Sequence, residues 1–330
     1  MRFLIAIIVT IPVFSLAQTG GTAGYQALDL VNNSRTAALS GNTISIADGD
    51  ISQFFQNPAI LDSISNGDIF FNINPYFADV FVFSGAYGFN IKGIENLSVG
   101  LTYIDYNDFR RTDASGNSNG TFNAQDYLIA FGKSHRLGPI SFGVNLKILH
   151  SSIDSYGSTA ILGDIGGIFR VKENWTIGMV IANLGGRITN FNELSTAKIP
   201  LDARIGTTFK PEYMPFRFTV TTTNLSERNV VEQSGSQGRS NEGIEKVVRR
   251  LSLGAELLLS DNFQLLFGYN HKRKQELKLS ETSGGAGFSY GLMVNIKRFE
   301  LRYSRAVFHA AGGSGFISLR TNLNDFKSIL

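Results

Sequence analysis

The residues whose spacing is most similar to that of a catalytic site are a serine and a lysine three positions apart. Ser195 and Lys198 match the Ser-x-x-Lys spacing of penicillin-binding enzymes. That chemistry also needs the serine on a helix and a Lys-Thr-Gly strand beside it, and the chain contains no Lys-Thr-Gly. Because the match falls in a segment predicted to be a loop, we interpret it as a chance match.

Metal and phosphate sites are represented only by fragments. Asp48 and Asp50 could contribute carboxylates to a calcium site, but the rest of an EF-hand loop is missing and a simple turn explains them better. The four histidines are scattered one per segment, without zinc spacing: His135, His150, His271 and His309. Gly312–Gly315 resembles a phosphate loop, but no helix is expected after it, so we predict a loop tip. With no Walker loop and no His-Glu-x-x-His either, we predict a protein that is not an enzyme and holds no cofactor or metal.

What the sequence does contain is a series of alternating segments, of which residues 140–148 are the clearest. Successive side chains of a strand point to opposite faces of the sheet. One face here is apolar, with Ile140, Phe142, Val144, Leu146 and Ile148, and the other is polar, with Ser141, Gly143, Asn145 and Lys147. A soluble antiparallel sheet with one wet face would show the same pattern. Its recurrence along almost the whole chain favours a membrane barrel.

From Asp68 onward the two-residue period continues nearly to the end of the chain. We therefore predict an all-β fold, a transmembrane antiparallel up-and-down β-barrel of about fourteen strands, with an uncertainty of about two. The predicted strands are residues 68–74, 78–90, 95–106, 121–133, 140–151, 158–171, 175–184, 200–210, 216–225, 247–260, 263–274, 284–296, 299–309 and 315–325.

The connections between these strands alternate in length. The short ones are residues 92–93, 135–139, 172–174, 210–215, 261–262 and 297–298. Longer, polar links lie between them, at residues 105–120, 151–157, 185–199, 226–246 and 271–283. Short turns on one side and long loops on the other are typical of outer-membrane barrels. We therefore expect a bacterial outer-membrane protein in contact with lipid, with both termini on the periplasmic, short-turn side.

Aromatic and charged residues follow the same geometry. Five short turns are followed closely by an aromatic residue on the apolar face: Phe142, Trp175, Phe216, Phe263 and Phe299. Such a row is expected where hydrocarbon meets lipid headgroups. The polar face carries Lys147, Arg204, Arg217, Glu256, Arg302 and Arg320. Because charges are costly on a lipid face, these should face the lumen, where they line a channel or, as we favour, pair with the N-terminal segment.

The N-terminus has the features of a secretory signal peptide. Arg2 supplies the positive charge, Phe3–Leu16 the apolar stretch and Ser15–Ala17 a small-residue cleavage site. We predict a signal peptide over residues 1–17, an N-terminal plug segment over 18–66 and the barrel over 67–330. The chain has no cysteine, so no disulfide is expected in the exported protein. Without Arg2 the basic and acidic residues are nearly balanced, which argues against nucleic acid as a partner.

The N-terminal segment also resembles a known family. The similarity is carried by Ser34–Gly41, Ile46–Asp50 and Phe54–Leu61, the last of which contains the plug motif Asn57, Pro58 and Ala59. These stretches resemble the PorV/PorQ family of outer-membrane barrels of the type IX secretion system, which are similar in fold to the FadL long-chain fatty-acid transporters. Size, signal peptide and loop arrangement are most similar to the PorQ type, over essentially the whole mature chain.

The resemblance implies a fourteen-stranded barrel with an N-terminal plug and a role in protein secretion. A barrel of this kind would hold a PorZ-like surface protein in a complex with PorV- and PorU-like components that attaches cargo to the cell surface. The long loops, near Asp105 and Gly120 and near Ser226 and Lys246, would then be the docking surface. The alternative is a FadL-like transporter that passes a hydrophobic small molecule through the plug region and out by a lateral opening.

Overall fold

The computed structural model describes residues 25–61, 66–191, 199–223, 225, 248–277, 285–309 and 312–326. Three of the sequence-based predictions lie outside these residues. They are the signal peptide over 1–17, the Ser195 to Lys198 match, and the loop from Ser226 to Lys246.

The chain forms a closed antiparallel β-barrel of fourteen strands, as predicted. The strands are β1 (Asp68–Pro75), β2 (Phe81–Ile91), β3 (Ile94–Thr112), β4 (Ser118–Leu137), β5 (Ile140–Ile153), β6 (Tyr156–Lys172), β7 (Trp175–Thr189), β8 (Asp202–Phe209), β9 (Phe216–Thr222), β10 (Leu251–Ser260), β11 (Phe263–Asn270), β12 (Phe288–Ile296), β13 (Phe299–His309) and β14 (Gly312–Asn322). Each strand pairs with its neighbours in sequence, and β1 closes the barrel by pairing with β14.

The alternation in the sequence sorts apolar side chains to the outside of the barrel. On β5, Phe142 is 56% exposed, whereas Lys147 on the opposite face is 8% exposed. This is the reverse of a soluble protein, and it suits a wall with lipid outside and polar groups within. The six charged residues predicted to face the lumen do so, and all of them form ion pairs. Among the described residues, no helix is long and apolar enough to cross a membrane.

The predicted loop at residues 105–120 is wrong, because most of it is strand. Strands β3 and β4 continue beyond their neighbours as a two-stranded ribbon and turn only at residues 113–117. Phe109 and Phe122 stack across this ribbon with ring centroids 5.4 Å apart. The Asp113 side chain accepts hydrogen bonds from the backbone N–H groups of Ser115 and Asn117 at the tip. A ribbon that is wet on both faces has no apolar period, which is why its sequence has the composition of a loop.

Three further expectations are corrected by the structure. Residues 271–274 are helical rather than extended, since α2 (His271–Glu276) begins there and the Asn270 side chain caps it by accepting from the Arg273 N–H. Gly312–Gly315 belongs to β14 instead of a loop tip. The link at residues 151–157 shrinks to the turn at 154–155, because β5 and β6 pair as far as Ile153 and Tyr156.

The N-terminal segment lies inside the barrel as short helical turns. They are the 3₁₀ turn Gln26–Leu28, helix α1 (Ser34–Ala38) and the 3₁₀ turns Ile51–Phe55 and Pro58–Ile60. Side chains of Asn33, Asp50 and Asn57 cap the last three by accepting from backbone N–H groups. We call residues 34–61 the inner plug and residues 25–31 the strap.

Candidate functional site

The inner plug is fixed to the wall by a buried arginine. Arg35 on α1 is 3% exposed and reaches three carboxylates with separate nitrogens. Its Nε lies 3.0 Å from Glu256 Oε1 on β10, its Nη1 3.0 Å from Asp50 Oδ2, and its Nη2 2.7 Å from Asp48 Oδ2. Because a guanidinium presents its donors in a rigid fork, this one side chain joins α1 and the loop at residues 48–50 to the barrel.

Wall arginines bind the same carboxylates from the other side. Arg217 on β9 lies 2.8 Å from Asp48 and 2.6 Å from Glu256. Arg302 on β13 lies 2.6 Å from Asp50. We call these arginines and carboxylates the arginine–carboxylate network. Its seven members are Arg35, Asp48, Asp50, Arg217, Glu256, Arg302 and Arg320. The favoured sequence-based interpretation, that lumen charges pair with the N-terminal segment, is confirmed for Arg217, Glu256 and Arg302, whereas Lys147, Arg204 and Arg320 pair with carboxylates of the wall.

The network sets the ionisation of the two plug aspartates. Burial alone would raise the pKa of both carboxyl groups. For Asp48 the neighbouring Arg35 and Arg217 outweigh burial, and for Asp50 Arg302, Arg320 and Arg35 do so, which lowers both pKa values. The side chain of Asp48 is still 34% exposed, whereas that of Asp50 is buried. Both groups are therefore carboxylates at neutral pH, bound to arginine rather than poised for a metal.

Inward-facing glycines let the inner plug approach the wall closely. A Cβ added at Gly143 would lie 2.2 Å from the carbonyl carbon of Pro58, and one at Gly178 would lie 2.4 Å from the carbonyl oxygen of Ile44. Backbone atoms cannot move aside cheaply, so no side chain fits at either position. Nine strands each contribute one inward-facing glycine that lies close to the inner plug. We call this set the glycine belt: Gly100, Gly132, Gly143, Gly166, Gly178, Gly206, Gly254, Gly268 and Gly291.

The strap lies at the other end of the lumen, near the loops, and its surroundings are apolar. Tyr25 and Ala27 pack with inward-facing residues of β2 to β6, which are Val82, Ile104, Leu128, Leu149, Ala160 and Leu162, and Leu28 and Leu30 pack against the same set. We call this set of wall and strap residues the loop-end apolar cluster. The Tyr25 hydroxyl makes a short hydrogen bond with Ser158. Apart from that bond, the described contacts of the strap are largely apolar.

A cavity of ≈ 650 Å³ lies between the strap, the inner plug and the wall. Ala27, Leu28, Leu30 and Leu128 of the loop-end apolar cluster form one side of it. The rest of its lining is mostly polar and includes four acidic and four basic residues of the described chain: Asp29, Asp164, Asp202, Glu276, Lys147, Arg204, Lys272 and Arg273. A molecule held here would touch both apolar and charged groups.

Beside the cavity, Asn183 Nδ2 donates to the Pro200 carbonyl at the point where the ladder between β7 and β8 ends. Their pairing ends at Ala182 and Asp202, although β7 continues to Thr189. At the same level β7 carries a bulge at Asn183, which has a φ of 64°. The Asp164 carboxylate accepts from the Asn183 N–H at 2.9 Å, and Lys147 Nζ lies 2.6 Å from the same carboxylate oxygen. These side chains replace the ladder hydrogen bonds that the bulge removes.

The residues singled out from the sequence are placed as follows. Asn57 caps the last plug turn and, with Pro58, lies against the glycine belt at Gly166, and Ala59 is buried beside them. Asp105 lies on β3 and Gly120 on β4, at the base and near the tip of the projecting ribbon. Ser226 and Lys246 lie outside the described residues. Within the described part of the chain, no group of three or more potential ligands could hold a metal ion.

The strap falls within the predicted plug segment 18–66, but its contact with β2 to β6 is the feature of the site that the sequence did not indicate. Its apolar residues occur in a stretch without strand or helix period, and nothing in their spacing connects them to β2 to β6. The only available signal was the inward-facing position of Leu128 and Leu149 on a face that is otherwise polar. Apolar residues on the lumen face of a barrel need a partner, and the strap provides it.

The barrel is similar to solved structures of hydrocarbon-transporting barrels. The Pseudomonas putida toluene transporter TodX matches with a TM-score of 0.50 over 88% of this chain and 97% of its own, at 10% identity. A TodX deltaS2S3 mutant, a monoaromatic hydrocarbon channel, gives 0.52 over 89% and 100%, at 11% identity. A Pseudomonas aeruginosa FadL homologue gives 0.48 over 88% and 98%, at 10% identity. No protein-family model and no curated protein matches the sequence.

At such low identity these similarities show the fold, which is a closed fourteen-stranded barrel like those of the FadL type. They do not support membership of the PorV/PorQ family, which stays a prediction.

Proposed function

We propose that this protein is a bacterial outer-membrane transporter of small molecules with an apolar part, and that it is not an enzyme. The observation that carries the proposal is the loop-end apolar cluster, an apolar surface inside the lumen that borders a cavity with charged residues in its lining. Water leaves such a surface readily, so an apolar molecule gains free energy by binding there. The fold similarity to TodX, a toluene transporter, supports the same function.

The strap occupies the apolar surface, so we propose that the ligand enters by displacing it. The inner plug stays in place, because the arginine–carboxylate network and the glycine belt hold it. The ligand then leaves the cavity sideways, between β7 and β8, where the strand pairing stops at Ala182 and Asp202. An apolar molecule that exits through the wall enters lipid directly and avoids the polar base of the lumen.

The experiment is uptake of radiolabelled octan-1-ol, toluene and a long-chain fatty acid by a bacterial host that lacks its own hydrophobic-uptake barrels. We expect the wild-type protein to raise uptake of at least one of them. Leu128→Asn, which places an amide in the apolar cluster, is expected to remove most of the increase, whereas Leu128→Met at the same position keeps it. Equal uptake with and without the wild-type barrel in the outer membrane would contradict the proposal.

The second candidate is the surface-anchoring role in type IX secretion, with PorZ-like, PorV-like and PorU-like partners. The projecting β3–β4 ribbon, with its stacked Phe109 and Phe122, is the described surface that a partner could contact. The fold comparisons favour transport instead. Affinity purification of a tagged copy from solubilised outer membrane distinguishes the two, because anchoring requires a large surface protein to be recovered with the barrel.

A further inference from the structure

The polar side of the cavity is charged but electrically balanced. Lys147 Nζ lies 2.6 Å from Asp164 Oδ1, and Arg204 Nε lies 2.6 Å from Asp202 Oδ2. Lys272 and Glu276 are 3.8 Å apart on α2. Asp29 and Arg273, one of each sign, complete the charged lining of the described chain. A carboxylate thus accompanies each of three cations, and the described lining has no net charge.

Two of these three pairs are shielded from bulk water, whereas the side chains of Lys272 and Glu276 are 30% and 49% exposed. The side chains of Lys147 and Asp164 are 10% and 3% exposed, and those of Arg204 and Asp202 are 12% and 13% exposed. Both cations also bind neutral amide groups, Lys147 at Asn183 Oδ1 and Arg204 at Gln56 Oε1. The amides that surround the pairs offer hydrogen bonds to a guest without adding charge.

We propose that this cavity selects amphiphiles whose polar end is neutral or zwitterionic over those whose polar end is a net anion. The inference rests on the transport function proposed above and specifies its ligand class. With the strap back in place after entry, the apolar tail lies against Leu28, Leu30 and Leu128, and the polar end lies among the ion pairs. A zwitterionic or neutral head can bind at this electrically balanced lining without breaking its ion pairs.

An anionic head meets an electrostatic cost at the same place. It gives up its hydration on entry, and the buried cations Lys147 and Arg204 are already paired with carboxylates. Binding must then break an ion pair and leave a buried carboxylate without its partner, or leave the guest itself unpaired. A pure hydrocarbon meets the opposite problem, because it cannot replace water at the charged wall.

The test uses four eight-carbon probes that share one tail, titrated calorimetrically at pH 7.5 into the wild-type barrel in lipid nanodiscs, with empty nanodiscs as the blank. The probes are octan-1-ol, zwitterionic 2-aminooctanoate, anionic octanoate and cationic octylamine. We expect the first two to bind about tenfold more tightly than either singly charged probe. Octanoate binding as tightly as octan-1-ol would overturn the inference and leave transport intact. Binding of none of the four would overturn the transport proposal itself.

Two variants reverse the selectivity in opposite directions. Asp202→Asn removes the carboxylate from Arg204 and should strengthen octanoate binding about tenfold, with no gain for octylamine. Arg204→Gln should strengthen octylamine binding about tenfold, with no gain for octanoate. Asp154→Asn, which breaks an exposed pair with Arg111 far from the cavity, is the matched control and should leave the order unchanged. If the variants fail to fold, as judged by heat-modifiable electrophoretic mobility, the wild-type order of the four probes decides alone.

Discussion

The inner plug and the strap are consecutive parts of one N-terminal segment, yet the barrel holds them by different forces. The inner plug is bound by charge and by close backbone contact, through Arg35 and the glycine belt. The strap is bound largely by apolar contact, together with a hydrogen bond between Tyr25 and Ser158. Directional, buried interactions make a rigid join, whereas apolar contact can be exchanged for another apolar molecule. The comparison indicates which part blocks the lumen and which part yields to a ligand.

The largest effect is expected when the plug loses its arginine. Arg35→Met leaves Glu256 and Asp50 with fewer partners in a buried site, and we expect the free energy of unfolding to fall by about 3–5 kcal/mol. Denaturant titration of the barrel in detergent micelles measures this. Arg111→Met, which breaks an exposed pair with Asp154, is the control and should cost at most about 1 kcal/mol. Equal losses in the two variants would show that the network does not hold the plug.

The next effect concerns the glycine belt. Gly143→Ala places a Cβ against the backbone of Pro58, and we expect a loss of about 1–3 kcal/mol and a shifted plug that lets polar solutes leak through. Conductance in planar bilayers reports the leak. Gly167→Ala on the neighbouring strand meets only one backbone oxygen, at 4.0 Å, and should leave conductance at the wild-type level. Wild-type conductance in both variants would contradict the close contact between the glycine belt and the inner plug.

A smaller effect is expected at the strap. Tyr25→Phe removes the hydrogen bond to Ser158, which contributes about 0.5–1.5 kcal/mol. We expect faster hydrogen exchange at residues 25–31 and little change in global unfolding, because the apolar contacts remain. If exchange accelerates equally in the inner plug, the two regions are not independent. Tyr127→Phe removes an exposed bond to Gln125 and serves as the control.

The smallest expected effect is that of mild acid. The pKa values of Asp48 and Asp50 are lowered in the folded protein, and an unfolded aspartate has a pKa of about 3.9. The two carboxylates therefore contribute stability above about pH 4, and this contribution is lost only as the pH falls towards their folded values. The midpoint temperature of thermal unfolding should be constant between about pH 8 and pH 5 and should fall below about pH 4. A decline near pH 6 would show that other groups control the plug.

The wall of the barrel was predictable because lipid outside and polar groups inside impose a strict alternation on each strand. This is why residues 140–148, with their unbroken period, correspond to β5. The extension of β3 and β4 past Asp105 was not predictable, since water contacts both faces of that ribbon and removes the constraint. Likewise, α2 was not predictable, because the chain after Asn270 could continue as a strand. It starts a helix there, and the Asn270 side chain caps the helix by accepting from the Arg273 N–H.

The site was predictable only in outline. The alternation placed Glu256 and Arg302 on the lumen face, and the cost of unpaired charge implied partners for them. The identity of those partners could not follow from the sequence, because Arg35 and Glu256 are separated by 221 positions. The balance of charges in the cavity depends in the same way on which strands lie side by side.

The glycine belt also constrains the order of folding. Wall and plug backbones approach so closely at Gly143, Gly178 and Gly268 that an added Cβ would meet a plug backbone atom within 2.5 Å, which leaves no clearance for a chain to thread past. A barrel that closed empty would have to admit the plug past these contacts. We therefore expect the strands to assemble around the plug. Arg320 of β14, which binds both Asp68 of β1 and the Gly49 carbonyl, then joins the seam only when the plug is already seated.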